Sequence, residues 1–202
     1  MNNNDMLIFP TLVRKIENFI SDIEIKSIID NCKKIKYKPH NALNGDAVSS
    51  HFVNDMTEQG LSNLITNNIV IDKLNLAIDE YRKDYGCVPL KVENAWINIQ
   101  NKGSTLNFHT HSDSIFSGAI YLSVDDNSSN LWFINPNPYS DFVSYFQTPE
   151  TAKFINYTKI YIQPKNGDLF LFPSWLKHGS HDINQTEERI VLSFNTVYNK
   201  IL

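Results

Sequence analysis

The residues that invite a chemical reading are His109 and His111, one residue apart within the stretch 107–122. On an extended chain, side chains two positions apart point to the same face, so these imidazoles project side by side. Two adjacent imidazoles on a rigid element are a ready pair of metal ligands. A third ligand must come from another strand. His178 is the best candidate: it follows the strand-like run 168–172 and a Pro173-Ser174-Trp175 turn, beside Phe170, Phe172 and Trp175, which supply a dry wall. His181 competes for that place, and Asp113, two beyond His111, is the fallback for the upstream pair. Nitrogen and oxygen donors without a thiolate suit zinc, iron, copper or nickel and argue against an iron–sulfur cluster.

Arg189 is the other residue singled out. It opens an otherwise apolar run, and a guanidinium turned into a barrel is costly unless an anion pairs with it. Its planar fork suits a carboxylate bidentately. On position alone, a surface pairing with Glu187, Glu188 or Asp182 is slightly favoured. His40 and His51 have no partner at ligand spacing and are expected to be surface or loop histidines.

These groups need elements to hold them. Residues 7–16 are expected to form an edge strand, since Pro10 is tolerable only at an edge. Ser21 and Glu24 form a capping-box pattern, followed by a helix with Ile23, Ile28, Ile29 and Cys32 on its apolar face, ending near 34–36. A second helical stretch spans about 61–85, with a break near Asn67 and Asn68 and Gly86 as its stop. Its stripe is Leu61, Leu64, Ile65, Ile69, Leu74, Ala77, Ile78 and Tyr81. From residue 88 the pattern turns to short strands and turns, expected at 88–100, 105–111, 115–124, 131–134, 159–163, 168–172 and 189–195. The tract 135–157 interrupts this rhythm with Tyr139, Phe142, Tyr145, Phe146 and Phe154. It is expected to be either a lid or a satellite apolar patch. One domain is expected over 1–202: a helical support region, 1–87, and a β core, 88–198.

The bulk numbers set bounds. A chain of 202 residues, 42% hydrophobic and 20% charged, can bury a sizeable core. A net charge of −4 argues against nucleic acid as a partner, and the run Lys33, Lys34, Lys36 and Lys38 is expected to be a solvated helix end. Cys32 and Cys87 have no paired spacing, so a reducing compartment is expected. No apolar run reaches the ~20 residues of a membrane span, and residues 1–10 lack the features of a signal peptide. The expected setting is cytoplasmic.

Together, Trp96-Ile97-Asn98, Gly103, His109-Thr110-His111, Ser117-Gly118-Ala119-Ile120-Tyr121-Leu122, the run from Gly167 through Pro173-Ser174-Trp175 to His178, and the run from Arg189 to Asn195 resemble the 2-oxoglutarate/Fe(II) oxygenases of bacteria and phages, relatives of the prolyl hydroxylases. The resemblance covers roughly residues 90–198. It implies a mainly β fold, a double-stranded β-helix (jelly roll, cupin-like) with N-terminal helices packed on one sheet. It implies Fe(II) held by His109 and His178 with His111 as third ligand, and Arg189 binding the far carboxylate of 2-oxoglutarate. Tyr121 matches a strand tyrosine that helps hold the same carboxylate, with Asn98 and Ser193 as further members of the pocket. The implied activity is a dioxygenase that hydroxylates an unidentified small-molecule or peptide substrate with dioxygen, as a monomer or homo-oligomer, with no membrane or nucleic-acid partner. Two departures stand out. His-x-His replaces the His-x-Asp or His-x-Glu of the wider superfamily, and Val191 stands where an Arg-x-Ser pair would have serine. Two other readings fit the same residues: a three-histidine dioxygenase that needs no 2-oxoglutarate, and a non-catalytic jelly-roll binding or structural module.

Overall fold

Alternation of apolar and polar side chains builds a six-stranded antiparallel sheet whose two faces do different work. A computed structural model describes residues 10–51, 61–148 and 157–199. The main sheet runs β1 (Arg14–Ile16), β9 (Leu169–Pro173), β6 (Phe116–Ser123), β11 (Glu188–Tyr198), β4 (Leu90–Asn101) and β3 (Ala47–Ser49) in spatial order. A second sheet of β10 (His178–Gly179), β7 (Leu131–Ile134) and β8 (Lys159–Ile162) faces it, and β2 (Leu43–Asn44) pairs with β5 (Thr105–Leu106). The two facing sheets form the expected jelly roll. The region before residue 87 is more than helical support, because β1 and β3 extend the main sheet at both edges. Asp168, buried, accepts from the Asn18 and Lys165 N–H groups and pairs with Lys15 at 3.1 Å, which ties the end of β1 to the start of β9.

On the outer face, Ala95, Ile97, Ile120, Leu122, Ile190, Leu192 and Phe194 pack against helices α1 (Asp22–Cys32) and α3 (Asn68–Tyr85). On the inner face, Ala119, Tyr121, Phe170, Phe172 and Val191 meet Leu131 and Phe133 of the second sheet. The capping box of α1 forms as expected: the Ser21 hydroxyl accepts from Glu24 N–H, and the Glu24 carboxylate accepts from Ser21 N–H. The helix ends at Cys32, earlier than expected. Its buried face is Ile25, Ile28 and Cys32, while Ile23 is 83% exposed. The second helical stretch breaks where expected, into α2 (Leu61–Leu64) and α3. Asn67 caps α3, accepting from Ile69 N–H, and Gly86 ends it with a positive φ of 75°. Val70 takes the core place expected of Ile69, which is 64% exposed.

The edge strand expected at 7–16 is present as Arg14–Ile16, and residues 7–9 lie outside the described residues. The aromatic tract is partly described: α4 (Ser140–Ser144) and its neighbours expose Tyr139, Phe142, Tyr145 and Phe146, while Phe154 lies outside the described residues. No helix among the described residues is long and apolar enough to cross a membrane.

Candidate functional site

Strands β4, β6 and β11 lie side by side, and the two-residue period gives each an inward row. Trp96, Asn98 and Gln100 project from β4, Ser117, Ala119 and Tyr121 from β6, and Arg189, Val191 and Ser193 from β11. These rows line a cavity of about 470 Å³ between the sheets. Five of the six histidines line it as well: His40, His51, His109, His111 and His178.

His109, His111 and His178 each bring a ring nitrogen within 4.8 Å of the others, the one group of three or more metal-type side chains among the described residues. The expected strand at 105–111 is shorter than its pattern suggested, since only Thr105 and Leu106 pair as strand. Beyond them His109 and His178 form an isolated bridge, exchanging backbone hydrogen bonds of 2.9 and 3.0 Å, while Asn107 N–H donates to the Ala42 carbonyl and His111 N–H to that of Ser174. The His109 ring donates to the Asn107 carbonyl at 2.8 Å. The His178 ring does the same with the Leu176 carbonyl, also at 2.8 Å.

A carbonyl can only accept, so Nδ1 of both rings carries the proton and Nε2 offers its lone pair. Burial pushes all three imidazoles toward their neutral forms. It lowers His111 to about 4, helped by the neighbouring His109. It carries His178 well below the usual histidine range and lowers His109 against the bond to Asn107. Three clustered imidazoles, two of them with Nε2 free to ligate, are a donor set suited to a first-row divalent metal.

At the other end of the cavity Arg189 is 4% exposed. Its Nε donates to the Ser129 carbonyl at 3.2 Å, and Nη1 donates to Oε1 of Gln100, the residue opposite in the β4–β11 register. Its guanidinium also lies over the Tyr121 ring, 5.2 Å from the ring centre. Burial pulls the guanidinium down from its usual range, opposed by Tyr121 and the more distant Asp182. Asp182 is itself taken up by Trp132 and Asn130, so the surface pairing once favoured for Arg189 does not form. The buried Gln100 Nε2 has no partner. A buried cation without a carboxylate, beside an orphaned donor, fits an anionic ligand such as the far carboxylate of a keto diacid.

The remaining candidates sort as follows. Asp113 is exposed and accepts from Ser112, away from the cluster. His181 is exposed and bonds Lys159, so His178 occupies the place for which both were considered. His40 and His51 lie on loops, as expected, but not on open surface. They are half-buried 3.4 Å apart, and His51 stacks on Trp96 with ring centres 4.3 Å apart. None of the described residues of the tract 135–148 lines the cavity. Gln100 and Asn195 were missed by the sequence reading. Their signal was the inward period of β4 and β11, two residues beyond Asn98 and Ser193.

Comparison with known proteins bears on the fold and the family. A family model described as "Putative 2OG-Fe(II) oxygenase" matches residues 94–195, half of the chain. A search of curated proteins finds no match. Among solved structures, HygX from Streptomyces hygroscopicus with nickel and 2-oxoglutarate bound is similar at a TM-score of 0.63 and 13% identity, over 94% of this chain and 84% of that one. The viral collagen prolyl hydroxylase of Paramecium Bursaria Chlorella virus-1, in its 2-oxoglutarate complex, reaches 0.55 and 16% over 93% and 96%. A Pseudomonas putida prolyl-4-hydroxylase reaches 0.58 and 12% over 94% of both chains. At such identities the structures attest the fold, and the family model attests the membership: the chain belongs to the 2-oxoglutarate/Fe(II) oxygenase family.

Proposed function

We propose that the chain is a 2-oxoglutarate- and Fe(II)-dependent dioxygenase that hydroxylates a C–H bond of a small-molecule or peptide substrate. The observation that carries this reading is one cavity with three clustered imidazoles at one end and a buried guanidinium without a carboxylate at the other. His109, His111 and His178 would hold the iron through Nε2. Arg189, with Tyr121, would hold the far carboxylate of 2-oxoglutarate, and Asn98 and Ser193 give polar contacts along the same wall. Iron and the keto acid supply the activation of dioxygen, and the net reaction takes substrate, dioxygen and 2-oxoglutarate to alcohol, succinate and carbon dioxide. The chain's own part is to orient and to keep dry. The carbonyls of Asn107 and Leu176 fix two tautomers, Arg189 fixes the register of the diacid, and Phe133 and Phe172 close the apolar side near His178. The free Cys32 and Cys87 suit a reducing, cytoplasmic setting.

Two substitutions test it. His178→Ala should abolish stoichiometric Fe(II) or Mn(II) binding, measured by calorimetry on anaerobic protein. Arg189→Ala should leave metal binding in place and remove most of the 2-oxoglutarate affinity. Unchanged keto-acid affinity in Arg189→Ala, or product formation without succinate, would favour the three-histidine dioxygenase that uses no cosubstrate. Absence of any metal binding by the wild-type protein would leave the non-catalytic module.

A further inference from the structure

His111 differs from the other two imidazoles in what stands behind it. The rings of His109 and His178 lean on backbone carbonyls, which fix their tautomers without choice. Nδ1 of His111 instead faces the side-chain amide of Asn195, with Nδ2 at 3.4 Å. Asn195 is 7% exposed, and its Oδ1 accepts from the Ser117 hydroxyl at 2.8 Å. Behind it runs a chain of hydroxyls. Ser117 meets Ser174 at 2.8 Å, Ser174 donates to Ser114 at 2.9 Å, and Ser114 donates to the carbonyls of Phe116 and Thr196. Ser117 and Ser174 are 2% and 0% exposed, and both hydroxyls find partners within the protein. The Ser174 carbonyl also accepts the backbone N–H of His111 at 2.9 Å, which ties ring and chain to one residue.

A side-chain amide is nearly symmetric in shape and can present either end to a neighbour. With the nitrogen toward His111, Nδ1 must be an acceptor. The neutral ring then carries its proton on Nε2 and cannot ligate there. With the oxygen toward His111, Nδ1–H donates, Nε2 offers its lone pair, and the amide nitrogen donates to Ser117. Ser117 then donates to Ser174, Ser174 to Ser114, and Ser114 to a carbonyl, so every hydroxyl has one donor and one acceptor. That orientation makes His111 equivalent to His109 and His178 as a ligand.

We propose that Asn195 is a positioning residue for the metal centre: its amide oxygen fixes the Nδ1–H tautomer of His111, and the Ser117–Ser174–Ser114 chain holds the amide in that orientation. Metal binding is thereby coupled to the direction of a buried hydrogen-bond chain. The inference rests on the three-histidine metal site argued above. It gives the third imidazole, which replaces the superfamily carboxylate, a dedicated support that the other two do not require.

The experiment is Mn(II) calorimetry on anaerobic wild-type protein, Asn195→Ala, Asn195→Asp and Ser117→Ala, with folding checked by circular dichroism and thermal melting. Loss of a residue that orients a metal ligand typically costs 10–100-fold in affinity, so Asn195→Ala should weaken Mn(II) by about that factor. Asn195→Asp, which can only accept, should keep wild-type affinity or exceed it, and Ser117→Ala should weaken binding less than Asn195→Ala. In the diamagnetic Zn(II)-loaded protein, long-range proton–nitrogen NMR should show His111 ligating through Nε2 with a slowly exchanging Nδ1–H, which Asn195→Ala releases to solvent exchange. Wild-type affinity in Asn195→Ala, an Asp variant that is folded but as weak as Ala, or a His111 ligating through Nδ1 would each overturn the inference. If Asn195→Ala is too unstable to assay, the Asp and Ser117 variants and the wild-type spectrum still decide it. His178→Ala is the control: if it too binds Mn(II) normally, the metal site itself is wrong, whereas binding lost there and unchanged in Asn195→Ala defeats only the role of Asn195.

Discussion

Tyr121 shows what a single hydroxyl does beside a buried charge. The residue is 1% exposed, burial raises its phenol above the usual range, and the charge of the neighbouring Arg189 opposes that rise. A hydrogen bond to a charged group contributes about 1.5–3 kcal/mol. If Arg189 clamps a carboxylate, the phenol directs the guanidinium and shares the ligand. Tyr121→Phe keeps the ring that packs on Phe170, so it should leave folding and metal binding intact while raising the 2-oxoglutarate Kd by about tenfold or more. Calorimetry with the Mn(II)-loaded variant reads this, and an unchanged Kd would reduce Tyr121 to a wall of the cavity. Tyr121, Arg189 and the three histidines were legible in the sequence because their types are chemically marked and their spacing matches a family pattern. Gln100 and Asn195 were not. An amide acquires a task only from what stands opposite: Gln100 faces Arg189 across β4–β11, and Asn195 faces Ser117 across β11–β6. Those registers shift at irregularities after Ile190 and Asn195, which no strand's own alternation encodes.

At the scale of elements, one of the two-residue strands positions the most. Strand β10 has two residues, His178 and Gly179, and its antiparallel bridge to His109 sets the separation of two ligands. Gly179 lies so close to the preceding segment that an added Cβ would sit 2.8 Å from the Leu106 carbonyl oxygen and 2.9 Å from that of Asn107. Backbone cannot yield as a side-chain tip can. Gly179→Ala must therefore spread β10 from 106–107 and draw His178 away from His109. Overpacking of this kind costs about 1–3 kcal/mol, and a displaced ligand should weaken Mn(II) affinity by about tenfold or more. Chemical denaturation and calorimetry on the same variant test both effects, and wild-type metal affinity would show that the bridge does not set the ligand spacing. Most elements were legible from periodicity and turn residues, the caps of α1 and α3 included. The phase of the helix faces was less so. Ile23 lies about 200° around the helix from Ile25, yet both are isoleucine, and only the sheet beneath decides which is buried. The strand expected to run to His111 stops at Leu106: beyond it Asn107, His109 and His111 donate to the Ala42, His178 and Ser174 carbonyls in turn rather than along one partner strand.

For the molecule as a whole, gathering five histidines around one cavity makes stability depend on pH. Burial is the first cause that lowers His40, His51, His109, His111 and His178 from the ordinary value of 6.5, with His51 and His111 brought to about 4. The sign follows from proton uptake. Below 6.5 the unfolded chain protonates these rings, while the folded chain holds them neutral until the pH nears their lowered values. The unfolded state therefore binds more protons in that window, and stability falls as pH drops through it. Carboxylates held low by hydrogen bonds and ion pairs, Glu24 and Asp79 among them, lose their contribution only below their ordinary values of 4.5 and 3.8, so they act beneath the histidine window. The urea midpoint of chelator-treated protein should decline steadily from about pH 6.5 toward pH 4.5. Replacing His51 with Asn should flatten that decline. Bound divalent metal should hold the midpoint up at the top of the window and lose that effect toward its bottom, because protons and metal compete for the same nitrogens. A midpoint that stays level or rises across the window in the chelated protein would mean that these histidines are already protonated, or are solvated, in the folded chain, and the metal centre would then have to win its ligands from protons at neutral pH.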